Sequence, residues 1–140
     1  MSEPLVLIDS SAWIASLTGQ PQAITQEVSE NLIPSQRAAI NELTRLEILT
    51  GARDDGHFAE LQEQLLGVHV LPITESVWRL AERTRFALRR KGLRTSVPDI
   101  VIASCAMVYG CELFYLDEHF DFIARHAPLR VYKPVRKRAA

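Results

Sequence analysis

The most informative stretch of the sequence is LVLIDSS, residues 5–11, in which four apolar residues end abruptly at an acid and two serines. A continuous apolar run of this length is typical of a strand that is buried on both faces. In open parallel sheets, ligands bind beyond the carboxyl ends of the strands. Asp9 is therefore predicted to stand at the edge of a sheet where a functional site can form.

Strand patterns recur along the chain and alternate with helix patterns. We predict four more strands, at residues 37–40, 68–73, 112–116 and 129–132. One helix is predicted to start with residues 13–17, and four others are predicted over 42–50, 54–66, 74–92 and 99–109. Capping residues and closing glycines mark several of their ends. Strands separated by helices imply parallel pairing through right-handed crossovers. The predicted fold is a three-layer α/β domain with a central, mainly parallel sheet of about five strands.

The length and composition are those of one compact domain. The chain has 140 residues, of which 47% are hydrophobic and 24% are charged, and a chain of this size can bury a core without disulfides or a structural metal. We predict one domain over residues 1–132 and a short basic tail over 133–140. The sequence shows neither a run of about 18 apolar residues nor a secretory leader, so we expect a cytoplasmic protein that does not span a membrane.

Four acids are candidate site residues: Asp9 and Asp117 end predicted strands, Glu47 lies on the helix after the second strand, and Asp99 opens a helix of otherwise apolar and small residues. Taken singly, Asp9 and Asp117 could be turn or cap residues, and Asp99 a favourable charge at a helix N-terminus. Four carboxylates that converge on one crevice would repel one another, and a divalent cation is the most plausible means of neutralising them. Oxygen ligands without a Cys or His set favour Mg²⁺ or Mn²⁺ over zinc.

The near-zero net charge conceals an uneven distribution of charge. Sixteen Lys and Arg against seventeen Asp and Glu give −1, which taken whole argues against a polybasic nucleic-acid binder. Residues 79–94 nevertheless hold seven basic residues and one acid. Helical periodicity puts Arg79, Arg83 and Arg90 on one outward stripe, and with Arg94 they suit contacts with phosphates. A merely solvated helix face, or a surface for a protein partner, remains an alternative.

Four short motifs follow one another along the chain: LIDSS with WI at residues 7–14, LEILTG at 46–51, PDIVIA at 98–103 and LDEHFD at 116–121. In sequence and order they resemble the PIN-domain ribonucleases, and among these most of all the VapC toxins of bacterial toxin–antitoxin pairs. The resemblance extends from about Leu5 to Tyr132 and implies a PIN-like α/β/α fold. Tyr115 departs from the pattern, because many members have Ser or Thr two residues before the fourth acid.

The resemblance also implies an activity, a site and partners. It implies a ribonuclease dependent on Mg²⁺ or Mn²⁺ whose catalytic and metal-binding residues are Asp9, Glu47, Asp99 and Asp117. It gives accessory roles to Ser10, Ser11 and Asp121. The implied partners are an RNA substrate, a cognate antitoxin that masks the active site, and a second copy in a homodimer.

Two other interpretations compete with this one. The first is a catalytically idle PIN-like module that binds RNA or a protein through its arginine-rich helix, although none of the four acids is missing. The second is another doubly wound enzyme, such as a phosphatase or receiver domain, which is disfavoured because the first strand lacks an Asp-x-Asp and the chain lacks a Gly-rich phosphate loop. His119 is expected to be a helix-surface or capping residue, and Trp13 and Trp78 are expected to be packing or interface residues.

Overall fold

A computed structural model describes residues 3–134, which form a parallel sheet covered by helices. The strands are β1 (Val6–Ile8), β2 (Ala38–Ile40), β3 (His69–Val70) and β4 (Glu112–Phe114). Their order is β3-β2-β1-β4, and each of the three neighbouring pairs is parallel. The predicted α/β class and parallel pairing are confirmed, with four strands in place of about five.

The difference in strand number lies at residues 129–132, which were predicted to form a fifth strand. Only Val131 pairs there, in an isolated parallel bridge with Leu113 of β4. Pro128 and Pro134 flank the segment and have no N–H to donate to a longer ladder. The segment therefore adds a single bridge to the edge of the sheet.

Seven α-helices are found in the described residues. They are α1 (Ser10–Thr18), α2 (Gln22–Gln26), α3 (Glu42–Thr50), α4 (Asp55–Gln64), α5 (Glu75–Arg90), α6 (Val97–Tyr109) and α7 (His119–His126), and α2 runs on into a π-helical segment, Glu27–Leu32. The predicted cap of α3 is present, because the Asn41 side chain accepts a hydrogen bond from the Thr44 N–H at 2.8 Å. Residues 22–32 had no counterpart among the predicted helices.

Two hydrophobic clusters cover the two faces of the sheet. Leu7 of β1 belongs to the cluster that also contains residues of α5, α6 and α7. Its neighbours Val6 and Ile8 belong to the other cluster, with Trp13 of α1 and residues of the π-helical segment, α3 and α4. Successive side chains of a strand point to opposite faces, so this alternation shows a three-layer arrangement, as predicted.

Two further predictions concern a membrane span and the C-terminal tail. No helix within residues 3–134 is both long enough and apolar enough to cross a membrane. The predicted basic tail, 133–140, lies outside the described residues from position 135 onward.

Candidate active site

The carboxyl ends of β1 and β4 lie side by side at one edge of the sheet. The two strands are neighbours, and Ile8 pairs with Phe114. The Asp9 N–H continues this ladder by donating to the Phe114 carbonyl at 3.0 Å. Asp9 therefore stands where β1 ends, and the chain that leaves β4 towards Asp117 starts beside it.

Asp9 is an almost fully buried carboxylate, with 3% of its surface exposed. Its Oδ1 accepts hydrogen bonds from the Ser11 hydroxyl at 2.6 Å and from the Ala12 N–H at 3.2 Å, so the side chain also caps α1. Burial raises the pKa of Asp9 above its ordinary value, these hydrogen bonds oppose the shift, and the negative charge of Asp99 adds to it. Both of these hydrogen bonds use Oδ1.

Ser11 connects the segments that follow β1 and β4. Its hydroxyl donates to Asp9 and accepts a hydrogen bond from the Leu116 backbone N–H at 3.1 Å. The geometry thus gives Ser11 a position from which it can hold Asp9 in register with the segment that carries Asp117. Ser10, the other serine of the motif, is the first residue of α1.

Glu47 reaches the same region from α3. Its side chain is exposed, yet partial burial raises its pKa, and the negative charges of Asp9 and Asp99 raise it further. The helix that carries Glu47, α3, contacts α1, which Asp9 caps, and α6, whose first turn contains Asp99. Glu47 is the only one of the four predicted acids in the exposed class.

Asp99 enters from the first turn of α6, whose N-cap is Ser96. Its side chain is 19% exposed. Burial raises the pKa of Asp99, the hydrogen bond with Ser96 opposes this, and the negative charge of Asp117 adds to the rise. The negative charge of Asp99 in turn contributes to the raised pKa of Asp9 and of Glu47.

His119 lies between Asp99 and Asp117, closer to the acids than the sequence suggested. Its Nδ1 is 3.2 Å from Asp117 Oδ1 and 3.7 Å from Asp99 Oδ2. Its backbone N–H donates to Asp117 Oδ1 at 3.0 Å, and α7 begins at this residue with Glu118 as its N-cap. The signal in the sequence was the short spacing Asp-x-His, whose ring can turn back towards the acid.

Asp121 is held by the residue that departs from the family pattern. The Tyr115 hydroxyl donates to Asp121 Oδ1 at 2.5 Å, and the Tyr115 ring packs against Phe120 with centroids 5.0 Å apart. Burial, followed by the bond to Asp121, raises the pKa of the Tyr115 hydroxyl, which therefore stays protonated and donates. Asp121 thus has a structural partner of its own, the Tyr115 hydroxyl.

The four acids come from four separate segments and suit a hard divalent cation. Among residues 3–134, no three His, Cys, Asp or Glu side chains are already arranged as a metal site. The fit rests on chemistry and charge: all four donors are carboxylates, and mutual repulsion contributes to the raised pKa of Asp9, Glu47 and Asp99. A cation among them would relieve that repulsion.

The four arginines predicted to bind RNA lie in different environments. Arg79 forms an ion pair with Glu75 at 2.7 Å. Arg83 and Arg90 are exposed on α5, and Arg94 lies in the loop between α5 and α6. The sequence analysis did not single out Arg85 and Arg89, which line a small cavity together with Arg94.

Comparison with known proteins agrees with the geometry. The model of the PIN domain family matches residues 6–126. The chain is 32% identical over 124 residues to VapC ribonuclease Mb1587 of Mycobacterium bovis and to ribonuclease VapC11 of Mycobacterium tuberculosis, which covers 86% of this chain and 92% of each relative. Its fold is similar to that of VapBC2 from Rickettsia felis bound to a promoter DNA fragment, with a TM-score of 0.77, 16% identity, and coverage of 91% of this chain and 97% of that one.

Proposed function

Because the chain belongs to the PIN-domain family and is 32% identical to a VapC ribonuclease over 86% of its length, we propose that it is a metal-dependent endoribonuclease. The observation that carries the proposal is that Asp9 ends β1 beside β4, whose outgoing segment leads to Asp117. The His119 Nδ1 atom lies 3.2 Å from Asp117 Oδ1 and 3.7 Å from Asp99 Oδ2. The proposed reaction is hydrolysis of an RNA phosphodiester bond. The proposed cofactor is Mg²⁺ or Mn²⁺.

Each acid has a role in this proposal that follows from its environment. Asp9 and Asp99 are the more buried acids and would hold the cation in a fixed position, with Asp117 completing the set. When bound, the cation supplies electrostatic stabilisation of the charge that develops on the phosphate. Glu47, the exposed acid, would orient the attacking water. No protein nucleophile is required.

Removal of divalent cations tests the proposal. We expect the purified protein to cleave a structured RNA in the presence of Mg²⁺ or Mn²⁺, and excess EDTA to lower the rate by at least about 100-fold, since the acids alone only repel the phosphate. Gel analysis of the RNA fragments measures this, and restoring the cation should restore the rate. Cleavage at an undiminished rate in EDTA would contradict metal dependence, and saturable RNA binding without metal affinity or cleavage would favour the idle module.

Ser11→Ala tests the link between the segments after β1 and β4. We expect RNA cleavage and metal affinity to fall about 10- to 100-fold, because substitution of residues that orient metal ligands has effects of this size. Ser11→Thr keeps the hydroxyl and should retain most of both. Ser35→Ala is a matched control, since its hydroxyl bonds the Leu32 carbonyl at 3.3 Å on another part of the chain. Equal metal affinity in Ser11→Ala and wild type would show that Ser11 does not position Asp9.

The biological part of the proposal is that the enzyme is the toxin of a VapBC-type pair, acts on RNA in the cytoplasm, forms a homodimer and binds a cognate antitoxin. Its support is the similarity to VapC ribonucleases. Expression of the wild-type chain should inhibit growth, and Asp9→Asn should not. A neighbouring reading frame that encodes a small DNA-binding antitoxin should suppress the inhibition when both are expressed. Normal growth with active wild-type enzyme would exclude the toxin role and leave the nuclease chemistry in place.

A further inference from the structure

Three arginines surround one small cavity at the end of α5. Arg85 and Arg89 lie one helical turn apart on α5, and Arg94 lies in the loop that follows. Together they are the lining of a cavity of about 210 Å³. We call this cavity the arginine pocket. Its lining is distinct from the outward stripe of Arg79, Arg83 and Arg90 that the sequence pattern indicated.

No ion pair within the described residues neutralises the arginine pocket directly. In that part of the chain none of the three guanidinium groups forms an ion pair with a carboxylate, whereas Arg79 on the same helix pairs with Glu75. The one acid of the segment, Glu82, lines the neighbouring groove together with Arg85 and Arg89. Three positive charges around one cavity repel each other, and an anion bound between them would remove that repulsion.

The arginine pocket is fixed in relation to the active site. The Arg85 Nε–H donates to the Thr95 carbonyl at 3.1 Å, which ties the loop after α5 to the helix. The next residue, Ser96, caps α6 and is hydrogen-bonded to the backbone N–H of Asp99 at 3.2 Å. Arg94 and Asp99 are five residues apart, so their Cα atoms are separated by at most about 18 Å. The pocket therefore lies within a few nucleotides of the predicted site of cleavage.

We propose that the arginine pocket binds a backbone phosphate of the RNA substrate, a short distance along the strand from the bond that is cut. This inference rests on the proposed ribonuclease function and adds the residues that hold the substrate. The planar guanidinium forks match phosphate oxygens in pairs. The connection through Thr95 and Ser96 to Asp99 favours a nucleic acid that spans both sites over an acidic protein that binds only here.

The test measures RNA binding by the full chain in the Asp9→Asn background, where the RNA is not cut. A fluorescein-labelled hairpin RNA is titrated by anisotropy at several salt concentrations. We expect Arg89→Gln and Arg94→Gln each to weaken binding about tenfold and to lower the slope of log K against log salt by about one. Arg125→Gln is the matched control, because its exposed guanidinium stacks on Phe122 at 5.5 Å, away from the pocket, and it should leave affinity and slope unchanged.

The outcomes separate this inference from the proposed function. If wild type cleaves RNA but Arg89→Gln and Arg94→Gln leave affinity and salt slope unchanged, only the arginine pocket is overturned. Loss of poly-glutamate binding in those variants would then assign the pocket to an acidic protein. If Arg79→Gln and Arg83→Gln weaken RNA binding as much as Arg89→Gln, a diffuse basic face binds the RNA and the pocket is likewise overturned. If wild type cleaves no RNA, the proposed function itself fails.

Melting temperature and kinetics exclude a purely structural role for these arginines. Arg89 lies in the last turn of α5, where a positive charge stabilises the helix, so each variant is melted alongside the parent. A melting temperature equal to that of the parent, together with a raised KM for RNA and a nearly unchanged kcat in the otherwise wild-type enzyme, supports the pocket. An RNA affinity that falls only in proportion to a loss of folded protein overturns it.

Discussion

Asp9→Asn is expected to lower RNA cleavage by at least about 100-fold while the protein remains folded. The amide oxygen of Asn can still accept the hydrogen bonds from the Ser11 hydroxyl and the Ala12 N–H, so the cap of α1 is kept. The amide nitrogen, however, replaces Oδ2 and presents N–H donors where a cation needs an acceptor. Cleavage rates on a labelled RNA measure the loss.

The stability of Asp9→Asn is expected to equal or exceed that of wild type. The raised pKa of Asp9, caused mainly by burial and then by the charge of Asp99, means that folding disfavours the ionised carboxylate. At neutral pH the side chain is ionised in the unfolded chain, so a neutral amide removes a cost that only the folded protein bears. Thermal melting checks this, and a clear decrease in melting temperature would contradict it.

A matched control for Asp9→Asn is available on another helix. Asp54 caps α4 in the same way, accepting a hydrogen bond from the His57 N–H at 2.7 Å. Asp54→Asn should therefore leave RNA cleavage unchanged. If Asp9→Asn retained more than about a tenth of wild-type activity, a loss below the range expected for a metal ligand, Asp9 would not be essential to the chemistry.

Trp13→Ala is expected to have the second large effect, a loss of stability. Trp13 is 1% exposed in the core between the sheet and α1, and Trp13→Ala should lower the free energy of unfolding by about 3–5 kcal/mol. For a domain of this size that corresponds to a melting temperature roughly 10–20 °C lower. Because α1 begins at Asp9, the variant should also lose activity at temperatures where wild type is stable. Calorimetry and circular dichroism measure the change.

Trp78 provides the same substitution in an exposed setting. It is 47% exposed on α5, so Trp78→Ala should lower the free energy of unfolding by less than about 1.5 kcal/mol. Trp13→Phe should fall between the two, because it keeps an aromatic ring and removes a buried indole N–H that has no hydrogen-bond partner. Equal losses in Trp13→Ala and Trp78→Ala would show that Trp13 does not anchor the core.

The parts of the fold that the sequence predicted well are those encoded by local patterns. β1 follows from its four-residue apolar run, and α3 has the predicted bounds because Asn41 and Gly51 mark its ends. The order of the strands is set by contacts between distant segments, and the predicted alternation alone does not determine it. The sequence predicted that β1 and β4 would carry acids to one crevice if the two strands were neighbours. The two strands are neighbours in the sheet.

Two strands are shorter than predicted, because a proline or a side-chain hydrogen bond interrupts the ladder of backbone hydrogen bonds. β3 was predicted to extend to residue 73 but ends at Val70, close to Pro72, which has no N–H to donate. β4 was predicted to extend to residue 116 but ends at Phe114, and the Leu116 N–H instead donates to the Ser11 hydroxyl. The proline is visible in the local sequence, whereas the second interruption depends on Ser11 and Leu116, which are more than 100 positions apart, and apolar patterns do not record it.

In the candidate site, too, local sequence predicted some features, while contacts between distant residues determine others. The four acids were predicted from motif and position, and burial together with the charge of neighbouring acids raises the pKa of Asp9, Glu47 and Asp99. The approach of His119 to Asp99 and Asp117 depends on how α7 starts, and the arginine pocket depends on how the loop after α5 folds back through Arg85 and Thr95. The position of His119 and the arginine pocket both depend on tertiary structure. Helical periodicity, which predicted the stripe of Arg79, Arg83 and Arg90, does not predict either of them.

The most direct test of the central claim is a titration of the purified protein with Mn²⁺ and with Mg²⁺, followed by calorimetry and, for Mn²⁺, by electron paramagnetic resonance. The account predicts saturable binding to the wild-type chain and a loss of affinity of at least about tenfold in both Asp9→Asn and Asp99→Asn, with Asp54→Asn unchanged. The account would be contradicted if the wild type showed no saturable binding of either cation, or if it bound them no more tightly than Asp9→Asn.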